Sequence, residues 1–118
     1  HLNGDDCLKK IARTLSNALK RPKDFLCRYG GEEFIAVLPD TDQNGAATVA
    51  KRFLEETKKL KIPRKSSTVS ENVTISVGAA TIKPDKGKKT TSFINQADKA
   101  LYEAKQSGRN CVKTRLTI

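Results

Sequence analysis

Apolar residues recur every three or four positions in three segments of the chain, and this spacing predicts three amphipathic helices. The first segment runs from Asp5 to Lys20, the second from about Gln43 to Leu60, and the third from about Ser92 to Gln106. Pro22 ends the first pattern, and Ser107-Gly108 gives the third a glycine at its C-terminus.

Short apolar runs between these segments predict β-strands. Phe25–Tyr29 and Phe34–Leu38 flank Gly30-Gly31, which is typical of a β-hairpin. Residues Asn72 to Ile82 alternate as a strand does, and Asn110 to Leu116 predicts an edge strand. The order helix, hairpin, helix, strand, helix, strand predicts an α+β fold in which helices flank an antiparallel central sheet.

The composition fits one ordinary domain. The chain has 118 residues, of which 36% are hydrophobic and 31% charged, so it can bury a single core. No apolar run approaches the ~20 residues of a membrane span, and the first residues lack the pattern of a signal peptide. We therefore expect a soluble, cytoplasmic chain that makes no membrane contact of its own.

Three cysteines, Cys7, Cys27 and Cys111, stand far apart and without Cys-x-x-Cys spacing. This pattern indicates neither a zinc site nor a disulfide framework, and it favours a reducing compartment. Cys7 and Cys27 occupy apolar positions of their segments, so we expect both to be small core residues.

The chain is strongly basic, with a formal charge of +10 and a pI near 9.7. Such a charge attracts anions, which include nucleic acids, acidic lipids and phosphate-rich small molecules. Aromatic residues make up only 5% of the sequence, so the stacking platform of a single-strand-binding protein is not indicated. Most of the excess lysines are expected to be solvated surface.

The hairpin turn carries the candidate chemistry. Gly30 and Gly31 can adopt positive φ and let a ligand approach backbone N–H groups, which suits a triphosphate. Glu32 and Glu33 follow directly and offer hard oxygen ligands for a divalent cation. On these residues alone, an ordinary solvated turn is the alternative interpretation.

The stretch from Arg28 to Phe34, Arg-Tyr-Gly-Gly-Glu-Glu-Phe, closely resembles the signature of the GGDEF family, the diguanylate cyclases. Three further segments match the family in the same order: His1-Leu2-Asn3-Gly4-Asp5, Arg21-Pro22-Lys23-Asp24, and a Lys-x-Ser-Gly-Arg-Asn ending that begins at Lys105. The resemblance covers essentially the whole chain. It implies a fold like the palm of nucleotide cyclases and polymerases.

The resemblance also implies a reaction, the condensation of two GTP molecules into cyclic di-GMP with release of pyrophosphate. Glu33 would bind Mg²⁺ or Mn²⁺, and Glu32 would assist with the metal or with the proton of the 3′-hydroxyl. The backbone of Gly30 and Gly31 would cradle phosphates, and Asp5 would accept hydrogen bonds from guanine. Each domain would hold one GTP, so two copies would have to meet as a homodimer.

Five other residues take their expected roles from the family. Lys105 and Arg109 would contact the terminal phosphates, although basic residues at a solvated helix C-terminus are also favoured by the helix dipole. Arg21 and Asp24 match the family's inhibitory site for the product cyclic di-GMP. Arg52 lies where the family often has a further arginine of that site, and an exposed helix arginine is its plainer interpretation.

In the family, a further strand and helix precede the position of His1, and that strand carries a metal-binding aspartate. We therefore expect residues 1–118 to be a single GGDEF-like domain that lacks its first strand and helix. This domain would be part of a larger protein with an upstream sensory or receiver domain, and that protein could be anchored in a membrane. We expect the 118 residues alone to be inactive. A degenerate domain that binds cyclic di-GMP or a protein partner is the main alternative, and a basic nucleic-acid-binding module is disfavoured.

Overall fold

The computed structural model describes residues 4–63 and 72–117. In this part of the chain three helices and four strands follow the predicted order, and the α+β class is confirmed. The elements are α1 (Gly4–Ala18), β1 (Phe25–Gly30), β2 (Glu33–Val37), α2 (Gln43–Lys59), β3 (Val77–Ile82), α3 (Thr90–Gln106) and β4 (Val112–Thr117). Most of the predicted polar segment from Ile62 to Glu71, and the first residues of the His1-to-Asp5 match, lie outside the described ranges.

The strands pair differently from the single antiparallel sheet that the sequence predicted. Strands β1 and β2 form the expected antiparallel hairpin, but β3 and β4 pair in parallel. Within the described ranges the two pairs remain separate two-stranded sheets. The parallel pairing follows from α3, because a helix between two strands carries the chain back to the end at which the first strand began.

The predicted strand from Asn72 is shorter in the structure. Strand β3 begins at Val77, and Asn72 makes only an isolated antiparallel bridge with Pro63. Alternation of apolar and polar residues marks extended backbone, but a ladder also needs a neighbouring strand at every position.

The main core lies between α1, α2 and one face of the hairpin. Ile11, Leu15 and Ala18 of α1 cluster with Phe53 of α2, because their helical spacing places them on facing stripes. Leu26, Phe34 and Ala36 of the hairpin and Cys7 of α1 pack against this cluster while only partly buried. The hairpin is thus attached through the side chains that alternate inward along its strands.

Cys27 corrects one expectation. It is exposed rather than part of the core. Its neighbour Leu26 points to the core, and successive side chains of a strand point to opposite faces, so Cys27 faces outward with Phe25.

Helix α3 packs unusually close to the parallel pair. Ala100 and Ala104 on its inner face are fully buried. A Cβ atom placed on Gly78 of β3 would lie 2.1 Å from the backbone nitrogen of Leu101 and 2.6 Å from the carbonyl oxygen of Ala97. These contacts are with backbone, which cannot rotate aside, so only glycine fits at this position.

Side chains stabilise the ends of α1 and α2. The Asp42 carboxylate accepts a hydrogen bond of 2.8 Å from the backbone N–H of Gly45 and caps the start of α2. Arg52 of α2 donates from Nη1 to the carbonyl oxygen of Ala18 at 2.9 Å, which satisfies a carbonyl at the end of α1. Among the described helices, none is both long enough and apolar enough to cross a membrane.

The contact at Gly78 predicts a large effect of adding one methyl group. We expect Gly78→Ala to destabilise the protein by about 3 kcal/mol or more, because overpacking against rigid backbone cannot relax. Gly87→Ala is the matched control, since its nearest neighbour would be the Asp85 Oδ1 atom at an ordinary 3.5 Å. Urea denaturation of both variants measures the difference, and equal midpoints would contradict the prediction.

Candidate active site and the hairpin turn

The hairpin turn is open and built on left-handed backbone. Gly31 has a φ of 53°, a conformation that costs residues with a Cβ atom more than glycine. In the described residues, no heavy atom other than those of the adjoining residues lies within 4 Å of a Cβ placed on Gly30 or Gly31, so a ligand can approach the backbone there. Glu32 and Glu33 are both exposed beside the glycines, where they can reach a ligand without first being desolvated.

Arg28 holds this turn from the strand that leads into it. Its Nε and Nη2 atoms donate to the carbonyl oxygen of Gly31 at 3.0 and 2.6 Å. The register of the hairpin is irregular between Arg28 and Gly30, so the residue between them has no direct partner on β2. Sequence reasoning assigned Arg28 no role, although it stands in the matched signature.

A groove of about 610 Å³ separates α1 from the hairpin, and one predicted site residue, Asp5, lines it. Asp5, Lys9 and Arg13 line it from α1, four positions apart and therefore on one helix face. Arg28 and Phe34 line it from the hairpin. Three cationic side chains and one carboxylate give the groove a net positive charge, which favours an anionic ligand. A donor group on that ligand could give a hydrogen bond to Asp5.

Glu32 and Glu33 fit a hard divalent cation by their chemistry, since carboxylate oxygens are the ligands that Mg²⁺ and Mn²⁺ prefer. In residues 4–63 and 72–117 no group of three or more histidine, cysteine, aspartate or glutamate side chains is placed to hold a metal ion. The two glutamates would thus supply part of a coordination sphere, with phosphate oxygens and water as natural further ligands.

Arg21 and Asp24 form a pair at the base of the hairpin. The Asp24 side chain is only 3% exposed, and it accepts from Arg21 Nη2 at 2.7 Å and from Nε at 3.2 and 3.3 Å. This hydrogen bonding raises the pKa of Arg21, a direction that its partial desolvation opposes. Arg21 therefore keeps its positive charge at all ordinary pH values.

The same guanidinium also binds the segment that follows β2. It donates to the carbonyl oxygens of Pro39 and Asp40, the latter at 3.2 Å, and to Thr41 Oγ1 at 2.7 Å. Arg21 thus joins the turn before β1 to the turn after β2 and closes the base of the hairpin.

Arg52 binds the carbonyl oxygen of Ala18, three residues before Arg21 in the chain. No hydrogen bond or ion pair joins Arg52 to Arg21 or Asp24 in the described residues. Arg52 thus has one donor engaged at the end of α1 and further donors on its guanidinium, and its part in a product site stays a prediction.

Lys105 and Arg109 lie at the end of α3, away from the elements that carry the turn. Arg109 has a φ of 63° and donates weakly to the carbonyl oxygen of Lys105 at 3.5 Å. Helix α3 packs on β3 and β4, whereas the hairpin packs on α1 and α2. The two cations thus follow a helix that packs on other strands than the hairpin, and their contact with the same ligand as Glu32 and Glu33 stays a prediction.

Comparison with known proteins agrees with the hairpin signature. The family model described as "Diguanylate cyclase, GGDEF domain" matches residues 1–111. The chain belongs to the GGDEF family. This membership explains why two glycines and two acidic residues stand together at an exposed tip, and it places the hairpin turn at the family signature.

Curated relatives of this GGDEF chain are much longer proteins. Diguanylate cyclase A of Treponema denticola is 38% identical over 112 residues, which are 95% of this chain and 29% of that protein. The probable diguanylate cyclase DgcT of Escherichia coli K12 is 36% identical over 115 residues, 98% of this chain and 25% of that protein. The chain thus spans little more than a quarter of the length of these relatives.

Solved structures share the fold. The GGDEF domain of DgcB from Caulobacter crescentus, whose structure with its coiled coil is a complex with c-di-GMP, superimposes with a TM-score of 0.78 at 28% identity. That match covers 94% of this chain and 57% of the other. The active GGEEF domain of a diguanylate cyclase from Vibrio cholerae gives a TM-score of 0.76 at 27% identity, over 97% of this chain and 69% of the other.

Proposed function

We propose that this GGDEF chain is the catalytic part of a diguanylate cyclase, which condenses two GTP molecules into cyclic di-GMP. The observation that carries the proposal is the open glycine turn with Glu32 and Glu33, next to a cationic groove with Asp5 at its other side. Membership in the family and the relatives named as diguanylate cyclases support it.

The reaction needs little covalent chemistry from the protein. The 3′-oxygen of one GTP attacks the α-phosphorus of the other, the bond from that phosphorus to the bridging oxygen of the β-phosphate breaks, and pyrophosphate leaves. The hydroxyl proton passes to a base, for which Glu32 is the proposed acceptor. A second such attack closes the ring. Catalysis then depends on in-line positioning and on charge neutralisation.

This chain's own residues would do that positioning. Asp5 accepts hydrogen bonds from the N1–H and 2-amino groups of guanine, a donor pair that adenine lacks. Backbone N–H groups at Gly30 and Gly31 bind phosphate oxygens, as anion-binding turns do. Glu33, with Glu32, would hold Mg²⁺ or Mn²⁺, which when bound neutralises charge that develops on the reacting phosphate.

The remaining proposed contacts lie elsewhere on the domain. Lys105 and Arg109 contact the terminal phosphates of GTP. Because each domain binds one GTP, a second copy must face the first in a homodimer. The full-length protein would be cytoplasmic in this part and carry a sensory or receiver domain upstream.

A product site is proposed at the base of the hairpin. Arg21 would donate two hydrogen bonds to a phosphate of cyclic di-GMP or stack on a guanine, and Asp24 would accept hydrogen bonds from the guanine edge. Arg52 would supply a further donor to the same ligand. The 44% exposure of the Arg21 side chain and the further donors of Arg52 support this site, and Asp24, which is 3% exposed and bound to Arg21, would have to separate from Arg21 to contact guanine. Cyclic di-GMP bound there would inhibit the enzyme.

A degenerate domain that only binds cyclic di-GMP is the second candidate function. The complex of the similar DgcB domain with c-di-GMP supports this candidate. The two candidates differ at the turn, since a receptor has no need of Glu32 and Glu33. Incubating the full-length protein with GTP and Mg²⁺ and separating nucleotides by anion exchange decides between them.

We expect Glu33→Gln to reduce cyclic di-GMP synthesis by the full-length protein at least about a hundredfold, because a neutral amide binds the divalent cation weakly. The control is Glu55→Gln, an exposed glutamate on α2 that removes the same charge. Turnover is measured at saturating GTP and Mg²⁺. Wild-type turnover by Glu33→Gln would refute the catalytic role.

Arg21→Ala should weaken cyclic di-GMP binding by about tenfold or more, since a charge-assisted hydrogen bond is lost, and should relieve product inhibition. It should also lower the melting temperature, because Asp24 loses its donors. Lys23→Ala is the control, since its contact with Asp40 is long at 3.8 Å and exposed. Calorimetry that finds unchanged product affinity would sink the assignment of this site.

Residues 1–118 alone are expected to make no cyclic di-GMP, because two exposed glutamates provide too few ligands for a two-cation site. The purified chain, with its intact mass confirmed, is incubated with GTP and Mg²⁺ and analysed by mass spectrometry. The full-length protein serves as the positive control. Product formation by the chain at a comparable rate would show that it already contains the whole catalytic site.

A further inference from the structure

The Arg28 guanidinium donates two hydrogen bonds to the carbonyl oxygen of Gly31, three residues further along the chain. Two donors converge on one carbonyl oxygen, at 3.0 and 2.6 Å, so the direction of that carbonyl is fixed by both. Among the described residues, Arg28 is the one whose side-chain hydrogen bonds reach the turn from Gly30 to Glu33.

Within residues 4–63 and 72–117, no packed side chain restrains the glycines of the turn. All four residues from Gly30 to Glu33 are exposed, and no side chain or backbone lies within 4 Å of where a Cβ on either glycine would be. Consecutive glycines have the most conformational freedom of any dipeptide. A turn of this kind would sample several conformations unless a specific bond selects one.

The bond to Gly31 also orients a donor for a ligand. The carbonyl of Gly31 and the N–H of Glu32 belong to one planar trans peptide, in which the two groups point in opposite directions. With the carbonyl directed at Arg28, the Glu32 N–H is directed away from it. Fixing one carbonyl therefore fixes a backbone donor and the starting direction of the chain into both glutamates.

Arg28 keeps its charge in this arrangement. A carbonyl oxygen is neutral, and no ion pair of Arg28 occurs within residues 4–63 and 72–117. The guanidinium also lines the groove that contains Asp5. It therefore sits between the groove and the turn, with donors to spare after its two bonds to Gly31.

We propose that Arg28 is a positioning residue that holds the Gly31–Glu32 peptide, and with it the Glu32–Glu33 pair, in the orientation the reaction requires. The catalytic part of this inference rests on the proposed cyclase function. The conformational part does not, because it concerns the mobility of the turn alone.

Three variants of the full-length protein separate these parts. Arg28→Gln removes the charge and the fork, Arg28→Lys keeps the charge and loses the fork, and Lys10→Gln removes one charge from an exposed position on α1 that does not line the groove. Thermal melting first establishes that each variant folds. Limited digestion with a glutamate-specific protease then reports turn mobility at Glu32 and Glu33, with Glu55 as the internal reference.

We expect faster cleavage at Glu32 and Glu33 in Arg28→Gln, an intermediate rate in Arg28→Lys and the wild-type rate in Lys10→Gln. In cyclase assays, kcat of Arg28→Gln should fall about tenfold or more while KM for GTP stays within about twofold, because misplacement affects the transition state more than binding. Arg28→Lys should recover part of kcat.

Wild-type cleavage at the turn in a folded Arg28→Gln protein would overturn the proposal. A raised KM with unchanged kcat would also overturn it, since Arg28 would then be a substrate ligand. If the wild-type protein makes no cyclic di-GMP but the cleavage rates differ as expected, the cyclase function fails and the role of Arg28 in holding the turn stands.

Discussion

The hairpin is attached to the molecule along one face, and the geometry of the signature turn depends on that attachment. Leu26, Phe34 and Ala36 pack against the α1–α2 core, while Phe25 and Tyr29 on the other face are more than half exposed. A two-stranded ribbon is marginal in water by itself. The packing of these three side chains therefore fixes the strands that carry the glycine turn. Arg21 binds the two segments at the base of the hairpin, and Arg28 binds the turn at its tip.

Much of this fold was accessible from the pattern of apolar residues. Helix boundaries agree closely with the sequence, because a 3.6-residue period and residues such as Asp42 and Gly108 mark both the buried stripe and its ends. Strand pairing was not accessible in the same way. A period of two tells which side chains share a face, but not which strand lies alongside, so the parallel partnership of β3 and β4 and the exposure of Cys27 both required the structure.

The candidate site shows a similar division. The sequence identified Asp5 and the acidic turn, and the structure places Asp5 beside the hairpin across one groove. Lys105 lies in the last turn of α3 and Arg109 follows that helix, and their role at this site stays a prediction. The bonds of Arg28 to Gly31 lie beside the irregular register before Gly30, and those of Arg21 reach residues 18 to 20 positions away. Neither a local irregularity nor a distant carbonyl is encoded in residue spacing.

The bond between Arg52 and Ala18 has a mechanical consequence. Helix α1 has 15 residues, so it is a rod of about 22 Å at about 1.5 Å per residue. Its last turn is tied to the middle of α2 by Arg52, and its first turn carries Asp5 at the mouth of the groove. Helix α1 is therefore anchored to α2 at its last turn and carries Asp5 at its first, and a displacement of this rod would also reach the hairpin side chains packed against it.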